Sequence, residues 1–513
     1  MKHVVFEVDA QAMRRRLWEM LPGLLSWTTL IGLGALAFVI PFWIAIFVIA
    51  YDVYLLVRIV YMSVHLLFAY RRLKEFEHIS WLIKLKDKQT NIEWKKLHHI
   101  IVIPTYDESL HVLRTSLSAL VKTDYPHERM HVVIGFEERA GESAKKRARA
   151  LTKEFASEFG TFLTTFHPDG IVGEKRVKSA NATWAIQRME EKLAKQKIAT
   201  KYILVSNFDS DTVISPQYFA YLTYAFVTEK DPYHASYQPI PVYNNNLWDA
   251  PSFSRVIAMG STFWQMIEST RPERLVTFSS HSMTLVALKD VGYWQRNIIS
   301  EDSRIFWQCL LKYNGKYRTV PLYITVSMDA ALAPSWWKTL MNQYKQKRRW
   351  AWGIENFPYL MEGFLKNRQI PWRIKWTYTW RTLEGHYSWA TSAIIVAVLG
   401  WLPVFFGNES FHQTFLSYSL PFMTRTLMTI AMTGLIVSAV LTILLLPHRP
   451  KHHGPWRYAL IVLQWVLVPL IATVLSAFPA LDSETRLMLG RDLNFNVMQK
   501  TRKRLTSKGL EAV

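Results

Sequence analysis

Hydrophobic and polar positions divide this chain into three regions. Two long apolar stretches come first, Leu24–Ile40 and Pro41 to about Leu67, and three more follow late in the chain, at about 388–406, 420–446 and 458–478. Each is close to the ~20 residues that a helix needs to cross a bilayer. Between the two sets, short apolar runs alternate with longer stretches of helical periodicity, which is typical of an α/β domain.

The first two apolar stretches form a predicted transmembrane hairpin within residues 1–72. Arg14 and its two arginine neighbours precede the pair, and Arg71 and Arg72 follow it. Positive charge on both flanks places both ends in the cytoplasm. A cleaved signal peptide is the alternative, but its apolar core is only ~7–15 residues long. Asp52 and Arg58 lie inside the second stretch, where they could pair.

The late apolar stretches define predicted C-terminal transmembrane segments within residues 388–480. The basic loop Pro447–Arg457 is expected on the cytoplasmic side. The tail, residues 481–513, is also basic and is expected in the cytoplasm. Three crossings would leave that tail outside, so the number of C-terminal crossings remains open.

Composition narrows the classes of partner. The net charge is +21, half of the residues are hydrophobic, and Cys309 is the single cysteine, which excludes an internal disulfide framework. Basic charge suits nucleic acid, anionic lipid or an acidic substrate. No compact basic domain, zinc signature or RNA-binding aromatic motif is present, so we expect no nucleic acid. The lipid bilayer and a diphosphate substrate are the expected partners.

Three predicted strands of the middle region each end in acidic residues. The strands are Ile100–Ile103, His131–Ile134 and Tyr202–Val205, and the residues after them include Asp107-Glu108, Glu137-Glu138 and Asp209-Ser210-Asp211. Ligands of open α/β sheets bind at this edge. Asp209 and Asp211 offer the hard oxygen ligands that Mg²⁺ or Mn²⁺ prefers, with substrate phosphates completing the shell. An isolated D-x-D is otherwise a solvated turn.

Two further motifs follow the strands. Glu301-Asp302 opens a predicted helix, where the pair could serve only as a cap with Ser300. Gln346, Arg349 and Trp350 lie on an amphipathic segment that could equally be an interfacial anchor. No P-loop and no G-x-G-x-x-G after a strand is present, which removes ordinary P-loop ATPases and dinucleotide enzymes.

The ordered set of motifs resembles the membrane-embedded family-2 glycosyltransferases, which include cellulose, hyaluronan and chitin synthases. The set comprises Pro104-Thr105-Tyr106-Asp107-Glu108, Asp209/Asp211, Glu301-Asp302 and the Q-x-x-R-W residues Gln346, Arg349 and Trp350. The resemblance implies a GT-A-like α/β nucleotide-sugar-binding domain at residues 98–370, inserted between transmembrane helices and lying in the cytoplasm. Residues 371–387 would form interfacial helices.

The resemblance also implies roles for individual residues. The implied donor-binding residues are Asp107, Glu108, Glu137, Lys178, Asp209, Gln346 and Arg349. Glu137 departs from the family's D-D-x-S pattern, so the nucleobase cannot be assumed to be uracil, although a UDP-sugar is the expected donor. Lys178 matches the lysine of a G-K-x-x-N region; a solvated helix residue is its alternative.

On the acceptor side, the resemblance selects Asp302 over Glu301 as the general base and gives Trp350 an acceptor-stacking role. One displacement with one base inverts the anomeric centre. A partial match to the family's gating loop covers Phe495, Val497 and Lys500, with Met498 in place of threonine. A thioether cannot donate the hydrogen bond of a hydroxyl.

These features predict an integral protein of the plasma membrane that adds sugars to a growing β-linked polysaccharide. The acceptor is a glycan or a lipid. One alternative is a single-transfer glycosyltransferase that makes a lipid-linked sugar; another is a non-catalytic transporter or scaffold. Selectivity for the sugar is expected in the hydroxyl- and amide-rich stretches Gln238–Asn246 and Phe278–Ser282, which are otherwise ordinary loops.

Overall fold

The computed structural model describes residues 2–493, 503–506 and 509–512, with side chains described over 10–493. It divides into two compact units. The α/β unit contains Phe68–Asp249 and Ser261–Leu332, and the helical unit contains residues 2–67, 250–260 and 333–493.

A mixed sheet of eight strands forms the centre of the α/β unit. The strands are β1 (His98–Pro104), β2 (Met130–Glu137), β3 (Thr161–His167), β4 (Ile203–Asn207), β5 (Val213–Ile214), β6 (Ala235–Val242), β7 (Ser282–Thr284) and β8 (Arg318–Ser327). Their spatial order is β3-β2-β1-β4-β7-β6-β8-β5. Strands β1 to β4 pair in parallel, whereas β7 is antiparallel to both β4 and β6.

The helices are α1 (Lys2–Val39), α2 (Pro41–Glu77), α3 (Trp81–Asp87), α4 (Leu110–Val121), α5 (Gly141–Phe155), α6 (Lys178–Lys195), α7 (Tyr218–Thr228), α8 (Ser252–Ser269), α9 (Leu285–Asp290), α10 (Glu301–Lys312), α11 (Trp336–Ala351), α12 (Asn356–Lys366), α13 (Trp372–Ala397), α14 (Leu402–Phe406), α15 (Glu409–His412), α16 (Phe415–Leu445), α17 (Arg457–Leu463), α18 (Val468–Ala472) and α19 (Phe478–Met488).

The three strands predicted from the sequence are neighbours in this sheet. Val102 of β1 lies opposite Val133 of β2 on one side and Asn207 of β4 on the other. Because all three strands run in the same direction, their acidic ends reach the same edge. The prediction of an α/β domain with acidic residues along one sheet edge is therefore confirmed.

Helix α4 shows how the sequence pattern fixes the helices against the sheet. Ser109 caps the helix through a hydrogen bond that its Oγ accepts from the Val112 amide, at 3.4 Å. Leu113, Leu117 and Leu120 recur at helical spacing and are all buried. Full burial of such a side chain stabilises a fold by about 1.5–3 kcal/mol.

The helical unit contains the long apolar segments. Within the described residues, five helical segments are long and apolar enough to cross a membrane: Ala10–Val39, Pro41–Glu77, Trp372–Phe406, Phe415–Leu445 and Arg457–Met488. Residues 372–387 of the predicted interfacial segment form the N-terminal part of the 26-residue helix α13, which continues without interruption to Ala397.

Polar contacts inside the helical unit differ from one expectation. Arg58 pairs with Glu384 at 2.9 Å and donates to the Ser388 hydroxyl, rather than pairing with Asp52.

The helical unit also includes residues expected in the transferase domain. Arg348 pairs with Asp482 at 2.8 Å. Residues 333–370, predicted as part of the transferase domain, belong to this unit, since α11 and α19 are joined by that ion pair.

Candidate active site

The two carboxylates of the D-x-D motif are placed differently by the turn after β4. The Asp209 side chain is 25% exposed, whereas Asp211 is 0% exposed. The Thr212 amide donates to the Asp209 carbonyl oxygen at 3.0 Å, which closes the turn. Asp211 Oδ2 accepts a hydrogen bond from the Asp329 amide at 2.8 Å. Asp211 is thus anchored beneath the surface, and Asp209 is accessible.

Lys178 brings the D-x-D motif and the acidic pair of α10 into one cluster. Its Nζ lies 2.6 Å from Asp209 Oδ1 and 3.6 Å from Asp302 Oδ1. The other oxygen of Asp209, Oδ2, accepts from the Ser279 hydroxyl at 2.6 Å. These residues lie on separate elements of the chain, so the sheet edge and two helix starts converge on one site.

The charge state of Lys178 follows from this position. Burial by itself lowers the pKa of an ammonium group, but Asp209 and, to a smaller extent, Asp302 and Glu301 reverse the effect, so the pKa of Lys178 is raised. The side chain therefore stays cationic among carboxylates. The alternative of a solvated helix lysine is wrong, because only 14% of the side chain is exposed.

The acidic pair lies in the first turn of α10, where the helix dipole favours negative charge. Ser300 precedes the helix, but its hydroxyl makes no capping hydrogen bond. Glu301 is buried, whereas the Asp302 side chain is 28% exposed and faces Lys178. Asp302 therefore has a charged partner outside its own helix, in addition to its place in the first turn.

Asn181, on the same helix as Lys178, ties the ends of two strands together. Its Nδ2 donates to the Gly135 carbonyl at 2.7 Å and to the Thr105 carbonyl at 3.3 Å. A Cβ at position 135 would lie 2.2 Å from Asn181 Oδ1, so glycine is required for this close approach. Asn181 was part of the G-K-x-x-N pattern, but its hydrogen bonds to the ends of the two strands were not predicted.

Glu137, at the end of β2, belongs to a buried charged network. Its Oε2 lies 3.3 Å from Arg139 Nε and 3.5 Å from His167 Nδ1, and His167 Nε2 lies 2.8 Å from Glu174 Oε2. Burial lowers the pKa of His167, but the two glutamates outweigh it and the pKa is raised. The Arg139 guanidinium also lies over the Tyr106 ring, 4.4 Å from its centroid.

The loop after β1 places its two acidic residues in different roles. Glu108 Oε2 accepts from the Thr105 hydroxyl at 2.6 Å and from the Tyr106 amide at 2.8 Å, so it holds the loop closed. The Asp107 side chain is 75% exposed and lies 3.6 Å from Arg147 Nη1. Asp107 is thus the more accessible of the two predicted donor contacts.

In the two polar stretches where sugar selectivity was expected, several side chains form hydrogen bonds with the protein backbone. The Gln238 side-chain amide forms two hydrogen bonds with the backbone of neighbouring residues. It accepts from the Phe278 amide at 2.8 Å and donates to the Ser279 carbonyl at 3.1 Å. Asn245 Nδ2 donates to the Asp211 carbonyl at 3.0 Å. Ser280 has φ +64°, a strained conformation for a residue with a side chain, directly beside Ser279.

The Q-x-x-R-W residues lie on α11 in the helical unit. Gln346 is buried and accepts from Gln343 Nε2 at 3.1 Å. Lys347 lies over the Trp350 ring at 4.9 Å and over the Trp389 ring at 5.7 Å. Burial lowers the pKa of Lys347 to about 8. Arg349 lies on the same helix.

The predicted gating residues Phe495, Val497 and Lys500 lie outside the residues that the structure describes.

Comparisons with known proteins agree with this architecture. The family model described as "Glycosyl transferase family group 2" matches residues 204–479, which is more than half of the 513-residue chain. No curated protein matches the chain. The match runs from β4 to the start of α19 and includes the D-x-D motif, the acidic pair and α11.

Two solved structures are similar at low sequence identity. The mannosyltransferase PcManGT from Pyrobaculum calidifontis, in complex with GDP-Man and Mn²⁺, is 14% identical with a TM-score of 0.43 and covers 77% of this chain and 99% of its own. The fragment S. aureus TarS 1-349, in complex with UDP-GlcNAc, is 12% identical with a TM-score of 0.34, and the match covers 81% of this chain and 97% of the fragment.

The mixed sheet with its acidic edge defines a glycosyltransferase domain of GT-A-like fold, accompanied by long apolar helices. The chain belongs to glycosyl transferase family group 2.

Proposed function

We propose that this glycosyltransferase transfers a sugar, with inversion, from a nucleotide-diphosphate sugar to a growing β-linked polysaccharide at the membrane. The observation that carries the proposal is the position of Lys178, 2.6 Å from Asp209 and 3.6 Å from Asp302. This contact joins the carboxylate expected to face the donor with the carboxylate expected to face the acceptor. Both halves of a transfer reaction then share one site.

The donor half consists of Asp209, Asp211 and Lys178, at the carboxyl edge of the sheet. A nucleotide-sugar diphosphate carries negative charge that grows on the leaving group during transfer, and fixed positive charge there lowers the barrier. Lys178 is at the first residue of α6, where the helix N-terminus also favours phosphate. Asp107 and Glu137 would contact the nucleoside, and Gln346 and Arg349 the diphosphate.

A divalent cation, Mg²⁺ or Mn²⁺, fits the chemistry of Asp209 and Asp211. Both offer hard carboxylate oxygens, and Asp209 already holds a cation, the Lys178 ammonium. When bound, such an ion would neutralise charge on the departing diphosphate. The buried Asp211, with Oδ2 fixed by the Asp329 amide, provides an oxygen ligand whose direction is set before substrate arrives.

The acceptor half depends on Asp302. As a carboxylate it would accept the proton of the acceptor hydroxyl while that oxygen bonds to the anomeric carbon and the diphosphate leaves. A positioned base of this kind typically contributes ~10²–10⁴-fold in rate. Attack opposite the leaving group inverts the anomeric centre. Glu301 is buried beside it, which favours Asp302 as the group that meets the acceptor.

Several long apolar helices favour a polymer product over a single lipid-linked sugar, because a chain that decorates one lipid needs only one anchor. Trp350 would stack on the acceptor sugar through its indole ring. We place the protein in the plasma membrane, with the transferase domain in the cytoplasm next to its nucleotide-sugar supply.

The test is a screen of purified full-length protein against a panel of nucleotide sugars with Mg²⁺ or Mn²⁺. One donor is expected to give nucleotide release together with a ladder of oligomers. A single extended lipid product would replace the polymer claim with single transfer. Absence of turnover with every donor, for protein that binds nucleotide, would contradict the transferase activity at this site.

A further inference from the structure

His281 lies in the segment that leads into β7 and is 0% exposed. The stretch Phe278–Ser282 was expected to meet sugar hydroxyls. The structure instead buries the His281 ring, which packs near the indole of Trp294 and close to Asp302. A histidine sealed from solvent beside a catalytic carboxylate acts through its ring nitrogens, so the hydrogen on each nitrogen must be assigned.

The contacts of the ring assign one tautomer. Trp294 Nε1 donates to His281 Nε2 at 3.4 Å, and an indole nitrogen is only a donor. Nε2 therefore carries no hydrogen. The hydrogen of the neutral ring is on Nδ1, which donates to the Phe278 carbonyl at 2.8 Å. A second hydrogen on Nε2 would point at the Trp294 N–H, so this arrangement keeps the ring neutral.

The same Nδ1–H lies beside the proposed base. Asp302 Oδ1 is 3.9 Å from His281 Nδ1 and 3.6 Å from Lys178 Nζ. Within the described part of the chain, this oxygen is buried and makes no hydrogen bond. Catalytic hydrogen bonds are often long before substrate binds and shorten in the complex. A movement of about 1 Å would bring Oδ1 within hydrogen-bond distance of both groups.

We propose that His281 is a positioning residue: its neutral Nδ1–H, shared between the Phe278 carbonyl and Asp302 Oδ1, holds Asp302 by that oxygen and leaves the other carboxylate oxygen for the acceptor hydroxyl. The inference rests on the proposed function of Asp302 as the base. The proton balance is simple: the acceptor proton passes to Asp302, and His281 neither gains nor loses one. Lys178 places a positive charge near the same oxygen, whereas His281 fixes the orientation of the Asp302 carboxylate.

Two substitutions separate this role from simple packing. In His281→Asn, the side-chain amide can place an N–H where Nδ1 lies. In His281→Gln, the longer side chain reaches the position of Nε2 and can accept from Trp294, but it offers no donor at the Nδ1 position. We expect the asparagine variant to keep kcat within about threefold of the wild type, and the glutamine variant to lose roughly 10- to 100-fold. The donor KM should change little in both.

The reverse order, with glutamine active and asparagine impaired, or equal activity of the two, would overturn the inference. Trp294→Phe provides a second measurement should a His281 variant fail to fold. It removes the N–H that fixes the tautomer but keeps a ring, and a several-fold loss of kcat at constant donor KM is expected. An unchanged kcat would count against the proposal.

Controls separate this inference from the proposed function. His234, a partly exposed histidine that pairs with Asp231 at 2.9 Å, receives the same two substitutions and should retain wild-type kinetics. If Asp302→Asn turned over like the wild type, the proposed base would be wrong. If Asp302→Asn were inactive but the His281 pair did not differ in the expected order, only the positioning inference would be wrong.

Discussion

Asp209 Oδ1 and Lys178 Nζ lie 2.6 Å apart, which joins the turn after β4 to the first residue of α6. The same ammonium lies 3.6 Å from Asp302. One cation thus balances two carboxylates that have different partners in the proposed reaction. The arrangement holds the proposed donor site and the proposed base together in the absence of substrate.

Lys178→Met should reduce kcat by about 10²-fold or more, because the substitution removes a cation from the diphosphate site and leaves two carboxylates to repel each other. Steady-state kinetics with the preferred donor provide the measurement. Lys289→Met is the matched control, since Lys289 pairs with Glu190 at a more exposed position and should be replaceable without loss. Full activity of Lys178→Met would exclude a function for this lysine in transfer.

Removal of divalent cations should abolish transfer, and Mg²⁺ or Mn²⁺ should restore it. Asp209→Asn should lower the apparent affinity for the activating ion at least tenfold, because a neutral amide oxygen is a weaker ligand than a carboxylate. Metal titrations of activity measure this effect. Asp231→Asn, on the exposed surface, is the control. Undiminished activity in chelator would contradict metal dependence.

Gly135→Ala should destabilise the α/β unit by about 1–3 kcal/mol, the usual cost of forcing an added methyl group into a packed site. The new Cβ would lie 2.2 Å from Asn181 Oδ1 and 3.2 Å from Ala185 Cβ. Thermal unfolding of the purified variant provides the measurement. Gly260→Ala, a helical position with nothing within 4 Å of the new Cβ, should not lower Tm.

Stability should fall as the pH drops from about 6.5 towards 4, because two buried histidines resist protonation in the folded state. Burial lowers the pKa of His99 to about 3 and that of His131 to about 4, with smaller contributions from neighbouring histidines. The unfolded chain takes up these protons near pH 6.5 while the folded chain does not, so acid favours unfolding.

Replacing one of these histidines isolates the effect. His131→Gln should flatten the decline of Tm between pH 6.5 and 4.5, measured by thermal unfolding in detergent. The corresponding change at His234, which is partly exposed, should leave the slope as in the wild type. An identical slope in His131→Gln would show that another group causes the acid sensitivity.

The parts of the fold that follow from local pattern were predictable. β1, β2 and β4 each contain a short apolar run with acidic residues at or shortly after the strand end, and Leu113 and Leu117 mark a helical face. β6 contains two prolines, and β7 has only three residues, so neither shows a strand pattern in the sequence. Their place in the sheet depends on pairing with distant strands.

The site was predictable as a set of residues but not as a geometry. Asp209 and Asp302 were identified from motifs, whereas their link through Lys178 depends on how α6 and α10 begin at the same edge. Gln238 and Asn245 have the composition of a sugar pocket, yet both bind backbone: Asn245 donates to the Asp211 carbonyl and Gln238 to the Ser279 carbonyl. His281 carried no motif signal, because its function depends on the folded positions of Trp294 and Asp302.

The most direct test of Asp302 as the base compares wild-type protein with Asp302→Asn in two assays, nucleotide-sugar binding in the presence of divalent cation and sugar transfer to acceptor. We expect the variant to bind donor with near wild-type affinity and to lose transfer by ~10²–10⁴-fold, the contribution of a positioned base. Transfer by Asp302→Asn at a rate close to that of the wild type would contradict this role of Asp302.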